Sequence, residues 1–176
     1  MTPPDGARVA PVDDAVKGAP RPGAAGLTVP IAVAAVVVAL DQVTKRWALS
    51  SLSDGHVVHV VWTLQFSLTF NSGMAFSRGQ GFGPIIGVIA FVVVIVLVGS
   101  LARTARGVAR VAVGMVIGGA LGNLCDRIFR SGGGFLRGRV IDFIDFRWWP
   151  VFNVADASIV VGGVVLFIAS AQRSRA

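Results

Sequence analysis

Apolar positions fill four stretches of the chain, and polar ones gather between them. The first stretch, LTVPIAVAAVVVAL, covers residues 27–40 and carries no charge. Continued through DQVTKRW, it predicts a helical span over about 27–47, with Pro30 tolerable in a first turn. A second uncharged run extends from Gly79 to Ala102 and predicts a span over about 82–102. The third, VAVGMVIGGALGNLC at 111–125, has only 15 uncharged residues. To cross roughly 30 Å of hydrocarbon at about 1.5 Å per residue it must carry Asp126 and Arg127 inside or at the rim, giving a span over about 109–129. The fourth runs over about 151–172, with Asp156 in its first turn. The glycines at 114, 118, 119 and 122 permit close helix–helix approach.

Between the first two spans the period changes. In HVVHVVWTLQFSLTF (56–70), Val58, Val60, Trp62, Leu64, Phe66, Leu68 and Phe70 occupy one parity, which predicts a strand. VIDFIDF (140–146) has β-forming residues in a weaker pattern. Two β-rich segments, 55–77 and 138–149, are therefore expected to form a small sheet at the membrane surface. The fold class is membrane α-helical: four transmembrane helices with a small extramembrane β-sheet cradle.

Composition supports the membrane. The chain is 54% hydrophobic and 14% charged, with mean hydropathy +0.74, whereas soluble domains carry roughly a quarter charged residues. Residues 1–26 hold five of the eight prolines and no aromatic, so a disordered tail is expected there. A cleaved leader is the alternative for the first apolar run, but no good small-x-small site follows it. The formal charge of +7 fits anionic lipid head groups, and no basic–aromatic pattern suggests nucleic acid. The single Cys125 excludes an intrachain disulfide and a Cys-rich zinc site, and with two histidines and no HExxH motif neither a metal nor another cofactor is expected. His56 and His59 read as surface residues of the sheet. Four spans put both termini on one side, yet eight basic residues fall on each side, so the positive-inside rule is silent.

The polar residues of the spans converge on one end of the bundle. Asp41 and Lys45 are four apart, acid first, the favourable order for a helical ion pair. Asn123, Asp126 and Arg127 close the third span, and Asn153 and Asp156 open the fourth. Each has a plainer reading: an interfacial anchor for Asp41–Lys45, a capping box for Asn153-x-x-Asp156, rim residues for Asp126-Arg127, and a turn for NSGMAF. Their concentration on one side favours function over the plain set.

In order along the chain, DQVTK (41–45), FNSGMAF (70–76), GGALGNLCDR (118–127), VIDFIDF (140–146) and FNVADASI (152–159) resemble the signature blocks of the lipoprotein signal peptidase (signal peptidase II) family. The resemblance spans about 27–172. It implies an aspartic endopeptidase of the bacterial inner membrane, with both termini (including 173–176) cytoplasmic and the site on the extracytoplasmic face. It implies cleavage of diacylglyceryl-modified prolipoproteins just before the lipidated cysteine; membrane lipid as a partner and a monomer are expected as well. Matched by motif, the catalytic pair is Asp142 and Asp156, while Asp41, Lys45, Asn71, Gly73, Asn123, Asp126, Arg127 and Asn153 shape the pocket and hold the pair. Asp126 competes with Asp142 for membership of the pair. Asp142 is preferred by its motif position, and because Arg127 is expected to keep Asp126 ionised. Asp145 is a third choice. Lys45 and Arg127 would hold carbonyl or phosphate-like groups, and Trp148 and Trp149 would anchor at the interface. The Gly-rich stretch 128–139 is longer than the family pattern, and the stretch between VIDF and FNVAD is shorter than in many members. Two rival readings are a proton-coupled transporter, with carboxylates near the midplane, and a non-catalytic assembly subunit.

Overall fold

The computed structural model describes residues 25–73, 83–100, 107–130 and 134–173. The expected tail falls almost entirely outside them, as do positions 174–176 and Met74, Ala75 and Phe76 of the NSGMAF motif. The described chain forms α1 (Ala25–Leu52), β1 (Val58–Val61), β2 (Leu64–Asn71), α2 (Gly83–Ser100), α3 (Val108–Phe129), β3 (Val140–Asp145) and α4 (Val154–Arg173). By length and composition, α1, α3 and α4 can each cross a membrane, and α2 is a shorter apolar helix over its described residues.

α3 lies at the centre and packs on all three other helices. Lipid offers no hydrophobic drive for helices to associate, so close contact must supply the attraction. Gly114, Gly118 and Gly122, one per turn, face α1: a Cβ there would lie 2.7 Å from the Pro30 carbonyl oxygen, 2.8 Å from that of Ala34 and 2.6 Å from Asp41 Oδ2. Gly119 faces Ala155 and Ile159 of α4, and Gly162 of α4 meets Ala112 and Val116 in return. Between these seams sit Ala34, Val94, Val113, Ile117 and Ala120, all buried. Outward-facing residues such as Val88, Ile89, Val92, Val96 and Phe167 remain exposed and apolar, as a lipid-facing surface requires.

α1 starts at Ala25, two residues before the expected 27, so Pro30 sits in its second turn and costs one ladder hydrogen bond there, and it runs five residues past the expected 47. The extension places Ala48 and Leu52 against Ile141 and Phe143, where the sheet meets the bundle. Trp47 clamps the junction edge-on, its ring 5.3 Å from Phe66 and 5.9 Å from Phe143.

The sheet is antiparallel in the order β1-β2-β3. The strand expected over 56–70 is broken in two: β1 and β2 form a hairpin in which Val61 pairs with Leu64 across Trp62 and Thr63. Trp62 sits at φ 52° and is 97% exposed, a bulky residue at a position usually given to Asn or Gly. β2 continues from the hairpin so that Phe66 and Leu68 pack on the core while Asn71 pairs with Val140 at the start of β3. α4 begins at Val154 rather than 151, because Phe152 is held to Ile144 by paired backbone hydrogen bonds of 2.9 and 3.0 Å. This bridge fixes the start of α4 beside β3.

Candidate active site

Asn153 precedes the first residue of α4 and caps it reciprocally with Asp156. The Asp156 N–H donates to Asn153 Oδ1 at 2.9 Å, and the Asn153 N–H donates to Asp156 Oδ2 at 3.2 Å. The same Asn153 side chain donates through Nδ2 to Asp142 Oδ1 at 2.6 Å. The capping arrangement thus also carries the contact to Asp142. Asn71 Nδ2 donates to Asp142 Oδ2 at 3.0 Å, and Asn123 Nδ2 donates to Asp156 Oδ1 at 2.7 Å. Every oxygen of the two carboxylates therefore accepts a hydrogen bond from an asparagine. Asp142 is 2% exposed. Burial, and next the negative charge of Asp156, push its carboxyl up to about 7, against the pull of the Asn71 and Asn153 hydrogen bonds and the Lys45 charge.

Behind the pair lies a buried ionic cluster. Lys45 Nζ is 2.8 Å from Asp41 Oδ2 and 2.8 Å from Asp126 Oδ2, and all three side chains are fully enclosed. Asp41 Oδ1 accepts the Ala155 N–H at 3.0 Å, tying α1 to the first turn of α4. Asp126 Oδ2 accepts the Ile141 N–H at 3.3 Å, next to Asp142. Asp126 is engaged in this scaffold. The expected partner Arg127 is not what holds it: Arg130 lies 2.6 Å from Asp126 Oδ1, one helical turn on. Adjacent residues on a helix point 100° apart, whereas i and i+4 meet. The sequence pattern marks neither Arg130 nor Gln42. Gln42 Nε2 donates at 3.2 Å to Asp41, to Asp126 and to the Gly122 carbonyl. Its one signal is its place inside DQVTK, beside Asp41.

Arg127 instead turns toward the end of β2. Its Nη2 donates to the Gly73 carbonyl at 3.4 Å, while Nη1 is buried with no hydrogen-bond partner among the described residues. Gly73 also donates its N–H to Asn71 Oδ1 at 3.0 Å. Arg127, Asn71, Asn123 and Asp156 form the polar wall of a cavity of about 350 Å³, whose apolar wall includes Ile86, Ala90, Leu124 and Ile159.

Asp145 lies apart from the pair. Burial alone would raise its carboxyl, but hydrogen bonds from Gln65, the Arg147 N–H and Ser67 hold it below the usual range. Asp145→Asn is accordingly expected to leave turnover within about threefold of the parent, since a group outside the reacting set contributes little to the barrier; a proteolytic rate assay checks this. His59 is exposed in β1 and His56 is exposed beside Asp54. Among the described residues no group of three or more His, Cys, Asp or Glu is arranged to hold a metal.

The model of the signal peptidase (SPase) II family matches residues 33–172, most of the chain and every site residue above. The chain belongs to the signal peptidase II family. Its relatives include proteins from Mycobacterium avium, 44% identical over 80% of this chain and 77% of that protein, and from Mycobacterium leprae, 43% identical over 80% and 70%. Both are named lipoprotein signal peptidase. A solved bacterial membrane enzyme superposes with a TM-score of 0.73 at 29% identity, covering 84% of this chain and 90% of its own. In this signal peptidase II, the carboxylates crowd the end of the bundle that carries the sheet rather than spreading along the spans.

Proposed function

We propose that Asp142 and Asp156 are the catalytic pair of an endopeptidase that removes the signal peptide from diacylglyceryl-modified prolipoproteins, cutting before the lipidated cysteine. The observation that carries this reading is the joining of the two carboxylates through Asn153 beside a cavity with one polar and one apolar wall. Two neighbouring carboxylates cannot both ionise cheaply, so the pair holds one proton. The charged member takes a proton from water, whose oxygen attacks the peptide carbonyl carbon. The neutral member donates a hydrogen bond to the oxygen on which charge develops, and a proton reaches the departing nitrogen as the C–N bond breaks.

Charge balance supports one shared proton. Asp41, Asp126 and a singly ionised pair supply three negative charges, and Lys45, Arg127 and Arg130 supply three positive ones. Either other protonation state would leave a net charge in a buried site, which is costly. Arg127 Nη1, without a partner among the described residues, offers a donor to a substrate carbonyl, and the apolar wall suits hydrophobic residues before the cleaved bond.

In this reading the sheet end faces outward, both termini lie in the cytoplasm, and a single chain suffices. The exposed Trp148 and Trp149 fit the lipid–water interface there. The test is the purified protein in detergent with a diacylated lipoprotein precursor and with its unlipidated counterpart. Free signal peptide from the lipidated precursor alone is expected; no product from a monodisperse, folded sample sinks the proposal.

A further inference from the structure

The hydrogen bonds to the carboxylate pair all run one way, and something must impose that direction. An asparagine amide has a donor end and an acceptor end of nearly equal size, so its shape alone does not choose which end meets a carboxylate. Wrongly turned, it would set an oxygen against an oxygen. For Asn71 and Asn153 the choice is made by the backbone. The Gly73 N–H occupies Asn71 Oδ1, and the Asp156 N–H occupies Asn153 Oδ1, so in each case Nδ2 is left for Asp142.

Asn123 lies inside α3 and has no such backbone N–H. Its Oδ1 accepts instead from Lys45 Nζ at 3.0 Å and from Asn153 Nδ2 at 3.1 Å. An ammonium group has donors and no acceptor, so it can face only the oxygen end of the amide. Lys45 itself is immobilised: its other contacts are Asp41 and Asp126, and it is fully buried.

Resting on the proposed catalytic pair, we infer that Lys45 is a positioning residue which fixes the polarity of the Asn123 amide and so guarantees a donor at Asp156 Oδ1. Its contact with the pair runs through Asn123, and only its charge acts on Asp142 directly. Its two carboxylate contacts serve to aim it. Because Asn153 Nδ2 also reaches Asn123 Oδ1, a turned Asn123 would disturb the hydrogen bond to Asp142 as well. One lysine on α1 thereby orders the side-chain donor to Asp156 and supports the one to Asp142.

Four variants test this in the full-length protein: Lys45→Met, Asn123→Ala, Asn123→Asp and the double variant Lys45→Met/Asn123→Ala. Lys45→Met and Asn123→Ala are each expected to lower kcat by about 100-fold, within the range for correctly placed proton-transfer groups, with KM changed less than about threefold. The double variant is expected to be no slower than the slower single one, because both remove the same link. Asn123→Asp keeps the shape of the amide but presents an oxygen to Asp156, so it is expected to be slower than Asn123→Ala. A role in packing alone would reverse that order, since the isosteric change would then be the milder. Should Lys45→Met fail to fold in a thermal scan, the two Asn123 variants decide by their order alone. Multiplying losses in the double variant, or Asn123→Asp faster than Asn123→Ala, overturns the inference. Failure of the catalytic pair itself would show differently, as full activity in Asp142→Asn or Asp156→Asn.

Discussion

Asp142→Asn is expected to lower the cleavage rate by about 10³-fold or more, and Asp156→Asn likewise, because in the proposed mechanism each supplies a group that gains or loses a proton as the peptide bond breaks. The Asp142 variant is also expected to melt at a higher temperature than the parent at pH 8. Its carboxyl is pushed from an ordinary 3.8 up to about 7, chiefly by burial and then by the charge of Asp156. The folded state thus holds this proton more tightly than the unfolded one. The contribution of such a group to stability is most favourable below about pH 4, declines as pH rises toward 7, and stays at its least favourable above that. Asparagine has the same shape and no charge to bury, but its amide nitrogen would face the Nδ2 donor of Asn71 or Asn153, which offsets part of the gain. Each tenfold difference in proton affinity is worth about 1.4 kcal/mol, so relief of roughly 1–3 kcal/mol at pH 8 is expected, allowing for the proton shared by the pair, or a few degrees in melting point. The gap between variant and parent should close as the pH is lowered toward 4. A variant that cleaves at the parental rate removes Asp142 from the pair. One that melts below the parent at pH 8 shows that charge burial is not what Asp142 contributes.

Gly119→Val is the second large effect expected. A Cβ at Gly119 would overlap the Ala155 carbonyl oxygen and come within 2.8 Å of Ile159 Cγ1. A backbone oxygen in the first turn of α4 cannot step aside alone, so the helix must move. Overpacking of this kind costs about 1–3 kcal/mol, at times more. The cost to turnover should be larger in proportion. Asn153 and Asp156 belong to that same turn, and a displacement near 1 Å in a reacting constellation costs about 10²-fold. Gly163→Val is the matched control, because nothing lies within 4 Å of a Cβ there. Thermal melting in detergent together with cleavage rates checks both; equal behaviour of the two variants would show that the α3–α4 seam tolerates a wider spacing than its geometry implies.

The helices were legible because hydrocarbon selects long uncharged runs, and the Asp41–Lys45 pair because its partners lie one turn apart on one helix. The site residues were legible mainly through motif resemblance, and their grouping at one end through where charges interrupt apolar runs. Other features depend on distance in space. The hairpin at Trp62 and Thr63 escapes a sequence reading because alternation continues across the turn, and its residues lack the usual Asn-Gly signal. Arg130 is hidden behind Arg127 because neighbours in sequence draw the eye before neighbours on a helix face. The direction of each asparagine amide could not be read at all, since it is set by Gly73, Lys45 and the capped turn, which meet only after folding.

Asn153 ends one element and completes another: it starts α4 and at the same moment grips Asp142. Unwinding that single turn would release both carboxylates together. On the proposed assignment, a chain whose last span has not yet entered the bilayer lacks the turn that brings the two carboxylates together.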